Sequence, residues 1–272
     1  MAVTRAAVLG SPIAHSLSPV LHRAAYAELG LDWSYDAIEV TESTLTSFIE
    51  SCGPAWRGLS LTMPLKTVVL PLLSRASDLV DVVGAANTVI FGEGGPEGHN
   101  TDVNGMCRAI AEAAGDAFAP RTATILGGGA TARSAVAAVG HLGVLDVHLC
   151  LRTMTRAEEF ADLAARLGVN VHPHGWAEAS RHLDGDIVIA TTPLGTADEL
   201  AGAVPAKPGA LLDVAYGADR SRLVEEWSAR GAPVADGFGL LLWQASDQVT
   251  LFTGEPAPIQ AMRAALREAT GR

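Results

Sequence analysis

The sequence predicts an α/β protein of two domains, each built on a mostly parallel sheet. Three observations carry this. A chain of 272 residues is long enough for two buried cores. Short apolar runs of strand length alternate with amphipathic or Ala-rich runs of helix length, and that alternation implies parallel strands joined by right-handed crossovers. A glycine-rich strand-to-helix turn, Gly127, Gly128 and Gly129, opens a second alternation midway along the chain.

In the first domain, Arg5 to Leu9 reads as a strand ending at Gly10. A helix follows, with Ser18 and Pro19 as N-cap and first helical residue and with Val20, Leu21, Ala24, Ala25 and Leu29 along one face up to Gly30. Tyr35 to Val40 reads as a strand, Glu42 to Ser51 as a helix, and Gly58 to Leu61 as a strand ahead of Met63 and Pro64. Ala86 to Phe91 reads as a strand broken by the turn GEGGPEG, and Asn104 to Ala114 as a helix. The second domain opens with the strand Thr122 to Leu126, then an Ala- and Val-rich helix and the strand from Val147. A helix from Arg156 to Leu167, strands at Asp186 to Ala190 and Ala210 to Val214, and a helix near Leu223 to Arg230 continue it. Two last helices, Leu240 to Thr253 and Ile259 to Ala269, are long enough to return to the first domain.

Composition narrows the function classes. With 49% hydrophobic and 18% charged residues the chain is too apolar to be disordered. No apolar run approaches the roughly 20 residues that span a bilayer, and the N-terminus lacks a cleavable signal pattern, so the expectation is a cytoplasmic protein without a membrane partner. A net charge of −11 has the wrong sign for a phosphate backbone, which excludes nucleic acid as a partner. Three cysteines, Cys52, Cys107 and Cys150, without ligand spacing argue against a disulfide framework or a metal site. His172 and His174 alternate around Pro173 in a loop or edge strand, a pattern expected to be solvated rather than metal-binding. Only Lys66 and Lys207 are lysines, so Lys66 needs a chemical reason.

The strongest motif is Gly127, Gly129 and Ala132, a GxGxxA directly after a strand and opening a helix. The first Gly permits the tight turn and the second lets backbone approach a pyrophosphate. The small third residue lets helix and strand pack while free helix N–H groups face the anion. This makes the second domain a Rossmann-like, doubly wound dinucleotide site with Gly128 and Ala130 at the same turn. About twenty residues on, where an acid would bind the ribose of NAD, the chain reads Leu151, Arg152, Thr153, with Arg156 close behind. Guanidinium groups there suit a 2′-phosphate, so the expected cofactor is NADP(H).

The first domain gathers small polar residues past strand ends: Ser16 and Ser18, Ser60 and Thr62, Lys66, Asn87 and Thr88, then Asn100 to Asp102. In open α/β sheets ligands bind outside the carboxyl ends of strands, so these side chains suit a polyhydroxylated small molecule. A lysine and a carboxylate near a carbonyl make an acid/base pair, and Lys66 with Asp102 fits it.

Seven segments resemble those of the shikimate dehydrogenase family: GSPIAHSLSP from Gly10, LTMPLK from Leu61, GAANT from Gly84, NTD from Asn100, GGGATA from Gly127, LRTMTR from Leu151 and GFGLLLWQA from Gly237. The resemblance implies NADPH-dependent, reversible reduction of 3-dehydroshikimate to shikimate, a step toward aromatic amino acids. It implies a substrate-binding domain of residues 1–103 with 237–272 and an NADP-binding domain of residues 104–236, in a monomer or homodimer. It also implies substrate contacts from Ser16, Ser18, Thr62, Asn87, Asp102, Tyr216 and Gln244, catalysis by Lys66 and Asp102, and cofactor contacts that include Thr191 and Gly237. Ser60 and Leu151 stand where the family often has Asn, and Leu240 where it often has Met. The same residues suit a quinate or aminoshikimate dehydrogenase, and the fold also serves nucleotide-sensing binding proteins without turnover.

Overall fold

Strand β1 (Thr4–Gly10) is buried on both faces from Ala6 onward, which is why its sequence is a continuous apolar run rather than an alternating one. The computed structural model describes residues 3–217 and 220–271. They form two compact units, one of residues 1–101 with 244–272 and the other of residues 102–243. Among the described residues no helix is long and apolar enough to cross a membrane.

The first unit follows β1 with α1 (Ser18–Glu28), β2 (Trp33–Glu39), α2 (Leu45–Glu50), β3 (Trp56–Leu61), α3 (Leu65–Val68), β4 (Arg75–Ala76), α4 (Asp78–Val83), β5 (Thr88–Gly92) and β6 (Gly95–His99). Its sheet runs β2-β1-β3-β5-β6-β4. The β1–β2, β1–β3 and β4–β6 pairs are parallel, whereas β5 is antiparallel to β3 and β6. Ala7 and Leu9 pack on one face with Leu59, Leu61, Leu65, Val80 and Val89. Ala6 and Val8 pack on the other with Tyr26, Tyr35 and Phe252. Helix α4 is capped by Ser77, whose Oγ accepts from the Val80 N–H, and ends at Gly84 in the left-handed region, φ +67°, from which the chain turns into Ala85–Thr88.

Two sequence expectations change here. The segment read as the turn GEGGPEG contains strand β6, and the turn itself is only Glu93 and Gly94 between Gly92 and Gly95, which pair. Pro96 is tolerated because it lies near the start of β6, where its carbonyl accepts from the Ser74 N–H and no ladder donor is needed. Ser18 is not an N-cap: α1 begins at Ser18 itself, and no side chain caps it.

The second unit comprises α5 (Asp102–Ala114), β7 (Thr122–Leu126), α6 (Ala130–His141), β8 (Asp146–Leu151), α7 (Glu158–Leu167), β9 (Asn170–Gly175), β10 (Ile187–Ala190), β11 (Ala210–Asp213), α8 (Arg222–Ala229) and β12 (Val234–Ala235). A 3-10 turn, Met154–Ala157, replaces the predicted first turn of α7. The sheet is wholly parallel in the order β12-β11-β10-β7-β8-β9, so the chain reverses its direction of progress between β7 and β10. The segment around Pro173 is the edge strand β9, where a residue without an N–H leaves no unmet ladder bond. Helix α9 (Gly237–Thr253) runs across the division between Trp243 and Gln244, and α10 (Ile259–Thr270) packs on α1.

Candidate functional site

Asn87 lies at the centre of the first unit's polar residues and is 1% exposed, so each of its hydrogen bonds needs a protein partner. Its Nδ2 donates to Thr101 Oγ1 at 2.9 Å and to Gln244 Oε1 at 3.4 Å. Its Oδ1 accepts from the Thr101 N–H at 2.8 Å and from Thr88 Oγ1 at 2.9 Å. Its backbone carbonyl accepts from Leu61 N–H at 2.7 Å, so its main chain is held from the end of β3 as well. One residue earlier, the Ala86 N–H donates to the carbonyl of Lys66 at 2.8 Å, and Asn100 Nδ2 donates to the carbonyl of Ala85 at 2.9 Å. The main chain of Lys66 and that of Thr101 are thus both tied to the segment Ala85–Asn87.

Thr62 follows β3; its N–H donates to Leu9 and its carbonyl accepts from Leu65, which starts α3 and with it Lys66. Gly10 makes this possible, since a Cβ there would stand 2.4 Å from Thr62 Cγ2. Ser16 Oγ accepts from the Ser18 N–H at 3.3 Å, which pins the turn into α1 and leaves the Ser18 hydroxyl outside any capping role. Ser16, Ser18, Thr62, Lys66, Asn87 and Gln244 all belong to the first unit. Asp102 opens α5 and with it the second unit, directly after Thr101 in the chain, and its carboxylate sits where the helix N-terminus favours negative charge.

Gln248 and His22 escaped the sequence reading, and Ser60 was read there as lying past its strand. Ser60 is inside β3, not past it: its Oγ accepts from the Tyr35 hydroxyl at 2.7 Å and donates to Gln248 Oε1 at 2.8 Å. Gln248, one turn beyond Gln244 on α9, donates from Nε2 to the Asn87 carbonyl at 3.2 Å and to Thr88 Oγ1 at 3.0 Å. His22 stacks on Tyr35 at 3.9 Å, with Nε2 3.3 Å from Gln248 Oε1 and Nδ1 3.4 Å from the Tyr26 hydroxyl. An amide oxygen only accepts, so Nε2 carries a proton. Burial pushes its pKa down to about 3, against a smaller opposing effect of the bond to Gln248. No sequence signal marks Gln248 or His22, because their partners lie far away along the chain.

In the second unit, Gly127 has φ +119°, and its N–H donates to the Cys150 carbonyl at 3.0 Å. A Cβ there would stand 2.5 Å from Thr191 Oγ1, a group held by its bond to the Leu126 carbonyl at 2.9 Å. Gly128 faces Leu151, while a Cβ on Gly129 would meet nothing within 4 Å. Gly129 precedes α6, whose first turn has neither a side-chain cap nor an acidic residue. Ala130 opens that helix and Ala132 is fully buried against the sheet. An uncapped helix start with open space over a glycine fits a phosphate group. Arg152 and Thr153 follow β8 and are exposed, whereas Arg156 Nε already lies 3.4 Å from Glu159 Oε1. Tyr216 lies past β11 with its ring 5.4 Å from Phe238. The strand end before Tyr216 is shaped by Asp213, which accepts from Ser221 Oγ and the Ala215 N–H, and whose carboxyl is raised above its usual range by burial. Gly237 is buried against the carbonyls of Val214 and Ala215, where a Cβ would stand 2.6 Å away.

A parallel sheet in this order, with a glycine turn and an uncapped helix start at its reversal point, places the chain in the class of two-unit, dinucleotide-binding α/β proteins. Residues 8–89 match the model of the shikimate dehydrogenase substrate binding domain, and residues 237–267 that of the shikimate 5'-dehydrogenase C-terminal domain. Among curated relatives, shikimate dehydrogenase (NADP(+)) of Methanopyrus kandleri is 34% identical, with 96% of this chain and 94% of that protein aligned. The protein of the same name from Natronomonas pharaonis is 36% identical over 96% and 97%. The crystal structure of Mycobacterium tuberculosis shikimate dehydrogenase superposes with a TM-score of 0.90 at 36% identity, covering 97% of this chain and 99% of that one. The Thermus thermophilus enzyme in complex with NADP(H) and shikimate superposes at 0.85 with 32% identity, covering 98% and 100%. The chain belongs to the shikimate dehydrogenase family.

Proposed function

We propose that this chain is an NADP-dependent oxidoreductase that reversibly reduces 3-dehydroshikimate to shikimate, a step toward aromatic amino acids. The observation that carries this reading is the bonding around Asn87, which ties the backbone of Lys66 to Ala86 and holds Thr101, the residue before Asp102. A general acid and its carboxylate partner need such anchoring, because proton transfer demands heavy atoms within hydrogen-bond reach. When bound, the nicotinamide supplies the hydride. The Lys66 ammonium donates a proton to the carbonyl oxygen as negative charge grows on it, which stabilises the transition state more than the ground state. Asp102 orients that ammonium and accepts from a substrate hydroxyl. Ser16, Ser18, Thr62, Asn87, Tyr216 and Gln244 hold the other hydroxyls and the carboxylate of the substrate.

The turn Gly127–Ala130 with Ala132, Thr191 and Gly237 receives the pyrophosphate and nicotinamide arms, and Arg152, Thr153 and Arg156 the 2′-phosphate. The substrate-binding domain in this reading is residues 1–103 with 237–272 and the NADP-binding domain residues 104–236, whereas the two compact units divide at 101/102 and 243/244. We also place the enzyme in the cytoplasm, as a monomer or homodimer; its three cysteines are free thiols, in keeping with a reducing compartment.

The test is nicotinamide absorbance with shikimate, quinate and aminoshikimate, each with NADP+ and NAD+. Turnover is expected to be fastest with shikimate and NADP+. Lys66→Ala should lower kcat by roughly 10²–10⁴-fold with a smaller change in KM. No turnover on any acid would refute the reading, and near-normal kcat in Lys66→Ala would remove the lysine from the proton transfer.

A further inference from the structure

Half of the chain's 8 histidines gather at one edge of the second unit's sheet. His148 on β8 stands directly opposite His172 on β9. Side chains alternate between the faces of a strand, so His174 shares the face of both. His182 ends the short 3-10 helix Trp176–Arg181 that follows β9, and its carbonyl accepts from Thr124 Oγ1 of β7. Its ring stacks on His174 at 3.8 Å and on His148 at 4.6 Å. Nδ1 of His148 is 2.9 Å from Nε2 of His174, and one ring nitrogen from each of His148, His174 and His182 lies within 4.8 Å of the other two.

We propose that His148, His174 and His182 form a binding site for one divalent transition-metal ion of the zinc type, with water as the fourth ligand. Zinc bonded to imidazole at about 2.0–2.1 Å in a tetrahedral site sets its nitrogens about 3.3 Å apart. One nitrogen pair stands at 2.9 Å and all three nitrogens lie within 4.8 Å of one another, so binding requires the stacked rings to turn until their in-plane lone pairs meet at one point. Imidazole binds metal only when neutral. Burial, reinforced by the neighbouring histidines, holds His148 and His174 below their ordinary values, and their 2.9 Å contact is a hydrogen bond between two neutral rings that a metal ion would replace.

Cys150 pairs with His174 in register, but it is fully buried in the apolar cluster with Leu126, Val188 and Leu211, and its Sγ is not among the ligand atoms that gather within 4.8 Å, so the donor set is three nitrogens. His172 is bonded to Asp146 at 3.2 Å and stays outside the triad. Bound metal would join β8, the edge strand β9 and the segment after the 3-10 helix through one ion, a structural clip at one edge of the sheet.

The test uses untagged full-length protein, stripped with a chelator and titrated with Zn2+ alone by calorimetry and with Co2+ by visible absorption. One equivalent is expected to bind with micromolar or tighter affinity, and Co2+ to give the intense bands of a four-coordinate site. His174→Ala and His182→Ala should each weaken Zn2+ at least tenfold, and both should abolish the Zn2+-dependent rise in Tm. His172→Ala and His15→Ala should change neither. Millimolar binding, or an equal loss in His172→Ala, would overturn the proposal. Circular dichroism of the variants separates lost ligands from lost structure.

Discussion

Replacing Gln248 by Met keeps the length and volume of a buried side chain while removing every polar contact of its amide. Gln248 accepts from Ser60 Oγ at 2.8 Å and His22 Nε2 at 3.3 Å and donates to the Asn87 carbonyl and Thr88 Oγ1. The two acceptors lose little, because the Asn87 carbonyl keeps the Leu61 N–H and Thr88 Oγ1 still donates to Asn87 Oδ1. The two donors, Ser60 O–H and His22 Nε2–H, are left unsatisfied among side chains no more than 3% exposed. Each orphaned buried donor costs about 1–3 kcal/mol, so the loss should be about 2–6 kcal/mol. That is a large fraction of the roughly 5–15 kcal/mol that holds a typical domain. Urea unfolding at pH 7 measures it, with unchanged m-values showing that the transition is the same one. Ser60→Ala removes one of the orphans, so the double variant should be less destabilised than the sum of the singles by about 0.5–3 kcal/mol. The KM for shikimate should also rise, since Gln248 supports Asn87. A loss below about 0.5 kcal/mol with purely additive singles would refute a shared buried network and leave Gln248 as simple packing.

His22 makes stability pH-dependent. Its folded pKa near 3 is below the ordinary 6.5, so between those values the unfolded chain takes up a proton that the folded one refuses. This stability is therefore full above pH 6.5 and lost as pH falls toward 3, by about 2 kcal/mol at pH 5. Urea unfolding at pH 7 and pH 5 should show that extra loss in the parent but not in His22→Gln; equal losses would contradict a buried neutral imidazole. Arg152→Ala should weaken NADPH by about 1–3 kcal/mol and NADH hardly at all. Arg156→Ala should do less, because Glu159 already shares that guanidinium. Fluorescence titration distinguishes these outcomes, and equal losses for both cofactors would remove Arg152 from the 2′-phosphate.

Features that depend on neighbours in sequence were legible. Strands β1, β3, β7, β10 and β11 are buried on both faces, so each is a plain apolar run. Gly127 was legible because a positive φ beside a strand end excludes other residues. Lys66 stood out by scarcity, and Leu151–Arg152–Thr153 by the acid it lacks. Strand β6 was hidden, since its glycines and proline carry turn chemistry and only pairing with β5 and β4 makes them a strand. The cap at Ser18 was misassigned because Ser-Pro also suits a helix that starts one residue earlier.

From the amino-acid order alone came the α/β alternation, the dinucleotide turn and the list of small polar residues in the first unit, because hydrophobic period, glycine conformation and side-chain chemistry are local properties. The places of those polar residues did not, since Ser60 lies inside β3 and Thr88 opens β5 with Asn87 just before it. Tertiary structure alone decided which polar residues engage one another. Ser60 meets Gln248 across 188 positions and His22 meets it across 226, and no local pattern encodes such a pairing. The histidine cluster has the same origin, since strand register and a returning 3-10 helix bring together residues 148, 174 and 182, which the chain itself keeps apart.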